Sequence, residues 1–292
     1  MFIIMEVKII CKSFFYKNYK NMLIIVLMLY VAFSCDKIEA PYLEKQNINN
    51  DTSTYVQKVL IEEFTGHRCG NCPRAHEKLY QLKQIYGNKL IGISIHSGFF
   101  AMPLPPNYPS DFRTSVGDEI TSAFGISQYP SGMVNRKAYN GNIILSHDSW
   151  AEAVEAIIQQ QPSLGIKIQN SYQSSQNTVT TSVEVKILQT INVPVKMVVY
   201  AIEDSIISAQ TDYEQNPTLI PNYVHMHVLR TSFNGTWGND IPVQIKTVGD
   251  TIKRTFTISW NNNWNETQSS VVVVLYNSAN NEIIQVEKKR II

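Results

Sequence analysis

An α/β domain followed by an all-β sandwich is the architecture this sequence predicts, and three observations predict it. Two strand-like apolar runs flank a helix-like run between Tyr55 and His96, with a C-x-x-C turn where the first strand meets the helix. At Gln161-Pro162-Ser163 the apolar period changes from that of a helix to that of a strand. The chain of 292 residues is long for one domain and comfortable for two.

Lys17 and Lys20 precede MLIIVLMLYVAFS, an uncharged apolar run that ends at Cys35. Its length suits the core of a signal peptide, ~7–15 residues, and falls short of the ~20 that span a bilayer. Ala32 and Ser34, third and first before that cysteine, resemble the lipobox of bacterial lipoproteins. The resemblance implies that residues 1–35 are a signal ending at an acylated Cys35, with the membrane a partner through the lipid; an uncleaved short anchor is the alternative. Residues 36–54 are polar and without apolar period, as a flexible tether would be.

The folded part is expected from Tyr55, with an α/β domain over 55–161 and a sandwich over 162–292. YVQKVLIEEF reads as a strand; Ala75, Leu79, Leu82 and Tyr86 recur at helical spacing until Gly87 stops the helix; KLIGISIH is a second strand. This order is a crossover unit with parallel strands. A loop rich in prolines and aromatics runs from Ser97 to Phe112, a helix-like stretch from Ser115 to Phe124, and WAEAVEAIIQQQ is an amphipathic helix ended by Pro162. Beyond it, about seven runs of alternating period with short polar connections suggest a sandwich of immunoglobulin-like type.

A net charge of +1 and the lack of a basic stripe argue against a nucleic-acid partner. Of four cysteines, Cys11 leaves with the signal and Cys35 is consumed by the lipid, so Cys69 and Cys72 remain. An exported protein with a single close pair does not use disulfides as general staples.

C-x-x-C inside a crossover unit points to thiol chemistry with no further cofactor. Cys69 is expected at the helix start, where unpaired amides and the dipole favour a thiolate, with Arg68 as a neighbouring cation. Cys72, one turn on, is placed to resolve a mixed disulfide on Cys69. Pro73 is tolerated because the first helical amides have no intrahelical partner. Zinc on Cys69, Cys72 and His76 or His67 is a rival that lacks a second ligand pair, and covalent haem needs a histidine where Pro73 stands. His225 and His227 share one face of an expected strand and read as packing or surface residues, without a nearby carboxylate or cysteine to complete a metal site. Trp237, Trp260 and Trp264 read as core or rim of the sandwich.

EEFTGHRCGNC resembles the thioredoxin active-site segment. The resemblance implies that Glu63, six residues before the first cysteine, is a buried acid that takes the proton of Cys72. Glu62 then faces the other side of the strand and is expected in solvent. It also implies a cis peptide at Tyr129-Pro130, where the Tyr129 backbone would pair with a substrate strand. The sequence departs from thioredoxin at Arg68, where a tryptophan is usual, and in the inserted loop Ser97–Phe112, which either roofs the site or is a stiff surface loop.

With FGISQYPSGMVNR, YAIEDSIISAQ and YVHMHVLRTSFNGTWG added to EEFTGHRCGNCPRAH, the chain resembles the twenty-eight-kilodalton outer-membrane-protein-related family of bacterial lipoproteins. That family implies an envelope location at the outer membrane. Two functions are expected. One is an anchored thiol-disulfide oxidoreductase acting on protein thiols or disulfides of the envelope; the other is a non-catalytic lipoprotein binding a protein or glycan through its sandwich.

Overall fold

The computed structural model describes residues 55–292. The expected signal peptide, Cys35 and tether lie outside the described residues. β1 (Val59–Thr65) and β2 (Leu90–His96) are parallel, in register from Val59 opposite Leu90 to Thr65 opposite His96, and α1 (Cys72–Tyr86) joins them. All fourteen of these strand residues are buried, as parallel strands covered on both faces must be. Gly87, at φ +56°, ends α1 in a conformation that a side chain would resist. α2 (Ser115–Ala123) starts on the Thr114 side chain, which accepts from the Gly117 amide. β3 (Ser131–Val134) runs antiparallel to β1 on its other edge, and α3 (Trp150–Ile158) completes this part.

Alternation along the strands sorts the side chains onto two faces. Val59, Ile61 and Glu63 of β1 and Leu90, Gly92, Ser94 and His96 of β2 look toward α1. The apolar members of that set pack with Leu79, Leu82, Trp150 and Val154. The opposite face carries Leu60, Phe64, Ile91, Ile93 and Ile95 against Val116 and Ile120 of α2.

Ten strands follow Pro162, where about seven were expected. β4 (Leu164–Gln173), β5 (Thr178–Ile187) and β11 (Thr251–Ser259) form a three-stranded antiparallel sheet in the order β11-β5-β4. Facing it are β6 (Val195–Glu203), β9 (Val228–Ser232), β12 (Ser269–Asn277) and β13 (Ile283–Arg290), with β10 (Asn239–Ile241) on β6. Alternation is again decisive: Met197, Val199, Val271 and Val273 fill the core between the two layers with Val183, Val185 and Trp260. Trp260 is therefore core, as expected, and Trp264 packs on it.

The expected boundary at 161/162 needs correction. β9 pairs with β2 at Ser94 opposite Val228, so one eight-stranded sheet runs β13-β12-β6-β9-β2-β1-β3 through both halves, with β10 branching from β6 as the eighth strand. Val198, Tyr200, Ile202, Val272 and Val274, on the far face of β6 and β12, share a core with Ile91, Ile93 and Val116. The described residues, 55–292, fall in one compact unit. A period-2 pattern shows that a strand has a buried face but not which sheet it joins. Trp237, expected in the sandwich, belongs to this shared core. No helix among the described residues is long and apolar enough to cross a membrane.

Severing the chain between Gln161 and Pro162 should leave two pieces that each expose half of the shared core. Neither should unfold cooperatively alone by circular dichroism. A fragment 162–292 with a sharp transition of its own would contradict the shared core.

Candidate functional site

β7 (Ile206–Thr211) and β8 (Leu219–His225) form a separate hairpin that lies against the start of α1. Beneath it, Cys69 and Cys72 form a disulfide. The helix begins at Cys72 with Pro73 next, so Cys69 sits in the turn before the helix and not at its first position. Cys69 is 3% exposed and Cys72 0%.

Two segments cover the pair. The first is the inserted loop after β2: the Arg68 amide donates to the Phe100 carbonyl at 3.0 Å, and a Cβ at Gly66 would strike the Phe100 backbone. Arg68 turns its guanidinium over the Phe99 ring at 4.6 Å and donates to the Met102 carbonyl. Tyr129-Pro130 is cis, and the Tyr129 hydroxyl meets the Ser97 hydroxyl at 3.0 Å. The second segment is Gln210–Tyr213, whose amides and side chains bond to the C-x-x-C turn.

Glu63 is fully buried, on the face of β1 that looks toward α1. Ser94 donates to its Oε2 at 3.2 Å. Its Oε1 lies 3.3 Å from His76 Nε2 but makes no aligned hydrogen bond, because that nitrogen is paired to the Thr65 hydroxyl at 2.9 Å. Burial pushes the Glu63 carboxyl up to about 8 against the pull of the Ser94 hydrogen bond. Glu62 was expected in solvent and is not: it is 1% exposed and paired to Arg136 through two bonds of 2.6 and 2.7 Å.

A cavity of about 680 Å³ opens between α1 and the hairpin, lined by Glu63, Ser94, His76, His96, Tyr223, His225 and His227 among others. His225 and His227 are thus neither surface residues nor strand neighbours on one face. His225 ends β8, His227 follows at φ +59°, and both are buried. Burial, reinforced by neighbouring imidazoles, holds His76 down to about 3 and His96 well below its ordinary range. Burial also holds His225 down to about 4. His227 Nδ1 lies 2.6 Å from Asp204 Oδ1, which also accepts from the His227 amide at 2.7 Å. His76 Nδ1 meets the Tyr223 hydroxyl at 2.7 Å. Both His225 nitrogens, His96 Nδ1 and Glu63 Oε1 have no partner among the described residues. Among the described residues no three His, Cys, Asp or Glu side chains are grouped to hold a metal ion. Ser94, His96, Gln210 and Tyr223 were not found from the sequence. Gln210 and Tyr223 stand within or begin the two stretches of the second half that carried the family resemblance.

The family model that matches is outer membrane protein Omp28, over residues 117–292. The chain belongs to the Omp28 family. The match crosses 161/162, in keeping with the shared sheet, and leaves the cysteine segment outside it. Membership places the chain in the cell envelope, at the outer membrane. Comparison with curated proteins gives no match. Among solved structures, HBP35 of Porphyromonas gingivalis is similar with a TM-score of 0.60 at 14% identity, over 81% of this chain and 76% of that one. A structural-genomics protein of Agrobacterium tumefaciens gives 0.50 at 13%, over 82% and 97%. A domain of the outer membrane lipoprotein Omp28 from P. gingivalis gives 0.31 at 18%, over 44% and 88%. At such identities the first two are likenesses of fold.

Because Glu63 is held neutral up to about 8, above the ordinary 4.5, its contribution to stability is full below 4.5 and lost as pH rises through 8. His76 and His225 act oppositely: what they contribute is present above 6.5 and lost as pH falls toward 4 and below. Glu63→Gln should therefore gain on the wild type as pH rises, by up to about 5 kcal/mol at full ionisation. Urea unfolding at about pH 5 and about pH 9 checks this, and a constant difference between the two would contradict the buried neutral carboxyl.

Proposed function

We propose that this Omp28-family chain is an envelope-anchored thiol-disulfide oxidoreductase that works through Cys69 and Cys72. In this reading residues 55–161 have a thioredoxin-like arrangement, and the later strands an immunoglobulin-like sandwich whose one layer continues the central sheet. The observation that carries it is Glu63: a neutral carboxyl buried on the strand that feeds the cysteine turn, held at about 8. An ordinary thiol titrates at ~8.5, so a proton passes between Cys72 and the ionised form of this carboxyl at little cost.

In the reduced form the Cys69 thiolate attacks one sulfur of a substrate disulfide, and the other substrate sulfur leaves as a thiolate. Glu63, having released its own proton toward water, then takes the proton of Cys72. The Cys72 thiolate attacks Cys69, which breaks the mixed disulfide, releases the second substrate thiolate and restores the Cys69–Cys72 bond. Two electrons pass to the substrate, and a dithiol of the envelope must supply them again. His76, beside Glu63 and bonded to Tyr223 in the cavity, offers the proton its way out to water. Tyr129, Pro130 and Arg68 are assigned to substrate binding beside the pair.

A second reading has its own observation. Both cysteines are almost wholly buried, as a structural disulfide would be, and the protein would then act as a non-catalytic lipoprotein that binds a protein or glycan through its sandwich. Against it, a bridge across a sequence separation of 3 closes too short a loop to restrict the unfolded chain much.

The reduction potential separates the two. A value above about −300 mV is expected, and a lower one indicates a structural bond. With that potential, Cys72→Ala should accumulate mixed disulfides with envelope proteins on gels run without reductant, Cys69→Ala should accumulate few, and Glu63→Gln should slow resolution while sparing the first attack.

Anchoring is proposed at Cys35. Metabolic labelling with a fatty acid should tag the wild type and not Cys35→Ser; label retained in the variant would remove the anchor.

A further inference from the structure

The segment Gln210–Tyr213 does not merely pack on the cysteine turn; two of its backbone amides donate to carbonyls of that turn. The Thr211 amide donates to the His67 carbonyl at 2.8 Å and the Tyr213 amide to the Gly70 carbonyl at 2.9 Å. Residues two apart in an extended chain point their amides the same way, which is why these two reach one edge. Between them Gln210 Nε2 donates to the Cys69 carbonyl at 2.9 Å and to the Gly66 carbonyl at 3.4 Å. The Tyr213 ring lies over Gly70, where any Cβ would run into it. The glycine of CGNC is therefore a seat for the tyrosine.

We propose that the edge formed by the His67, Cys69 and Gly70 carbonyls is the docking edge for an extended, cysteine-bearing polypeptide, and that Gln210–Tyr213 occupies it in place of that partner. The proposal rests on the thiol-exchange reading of the pair and names what its substrate must displace. Backbone amides read no sequence, so an incoming extended chain offers the same donors to the His67 and Gly70 carbonyls, whereas the Cys69 carbonyl is held by the Gln210 side chain. Net, each such bond contributes little, because water takes over when it breaks. The resident segment is held at its start, where Gln210 is fully buried and the Thr211 hydroxyl meets the Tyr108 hydroxyl at 2.6 Å, and is looser at its end, where Tyr213 is 63% exposed and the Glu214 side chain pairs with the exposed Arg74. Ordinary thiol exchange needs the incoming sulfur to reach Cys69, which is 3% exposed while the segment is in place.

The test uses the full mature chain carrying Cys72→Ala, which leaves Cys69 as a free thiol. The probe is an extended peptide with one cysteine, activated as its mixed disulfide with thionitrobenzoate. The Cys69 thiolate attacks the peptide sulfur, the peptide-thionitrobenzoate bond breaks, and thionitrobenzoate leaves as a coloured thiolate. Adding Tyr213→Ala, at an exposed position that the fold tolerates, should speed the release by about tenfold, and Tyr213→Phe should not. Hydrogen exchange over residues 206–225 should quicken once the peptide is attached. Equal release with and without Tyr213→Ala overturns the proposal, as does coupling that leaves exchange over 206–225 unchanged, or release from neither chain. The thiol-exchange reading fails separately, through a reduction potential of the intact disulfide below about −300 mV.

Discussion

The ion pair between Glu62 and Arg136 is the constraint on which the rest of the molecule depends. It is bidentate and almost fully out of water, with the Arg136 guanidinium held among the rings of Phe124, Tyr276 and Trp237 at 5.2, 5.6 and 5.8 Å. Glu62 comes from β1 and Arg136 from the turn after β3, whereas Tyr276 and Trp237 come from the second half of the chain. Removing one partner from such a pair strands a charge and costs roughly 3–5 kcal/mol. That cost fixes the register of β1, because successive residues on a strand face opposite sides. With Glu62 turned to Arg136, Glu63 has no choice but the face of α1 and the cavity. The Glu62 carboxylate thus decides where Glu63 points.

The same pair explains why the halves are not separate. A guanidinium buried under β1 needs a low-polarity wall around it, and the wall is built by β6, β12 and the loop carrying Trp237. Tyr200 and Tyr276 reach across it to bond the Thr236 and Trp237 carbonyls. Once β6 stands there, β9 can bridge it to β2, and the chain between β6 and β9 is brought over the cysteine turn. The β7-β8 hairpin is that chain. Cover of the disulfide is in this sense a by-product of closing the core around Arg136.

What was legible in the sequence was whatever depends on local pattern. The spacing of Ala75, Leu79 and Leu82 marks α1, Gly87 its end, and the apolar residues of YVQKVLIEEF and KLIGISIH mark two strands, whereas a buried Glu63 was implied by the resemblance to thioredoxin. Glu62 reads wrongly as solvated because a charged residue next to another on a strand usually is, and its partner stands 74 residues away. The two-domain division failed for a related reason: alternation along β6 and β12 reports two buried faces, and neither face names its neighbour. His225 and His227 read as sharing a strand face, yet the chain turns at His227 with positive φ. Nothing in the sequence signals that Gln210 reaches the Cys69 carbonyl across 141 positions.

The surroundings of Glu63 make sense as a place where a proton moves without leaving a bare charge behind. A carboxyl held neutral to about 8 lies beside an imidazole held neutral down to about 3, so between those limits neither is charged. Ionising Glu63 permanently in this pocket is costly, since desolvation opposes it and a single hydroxyl supports it. In the exchange proposed above, a proton taken from Cys72 would remove that cost, and His76, 3.3 Å from Glu63 and bonded to Tyr223, could change tautomer without storing charge. An apolar side chain at 63 would pack under α1 as Ile61 does and spare the fold a buried carboxyl with an unpaired oxygen, so the carboxyl stands there at a cost to stability.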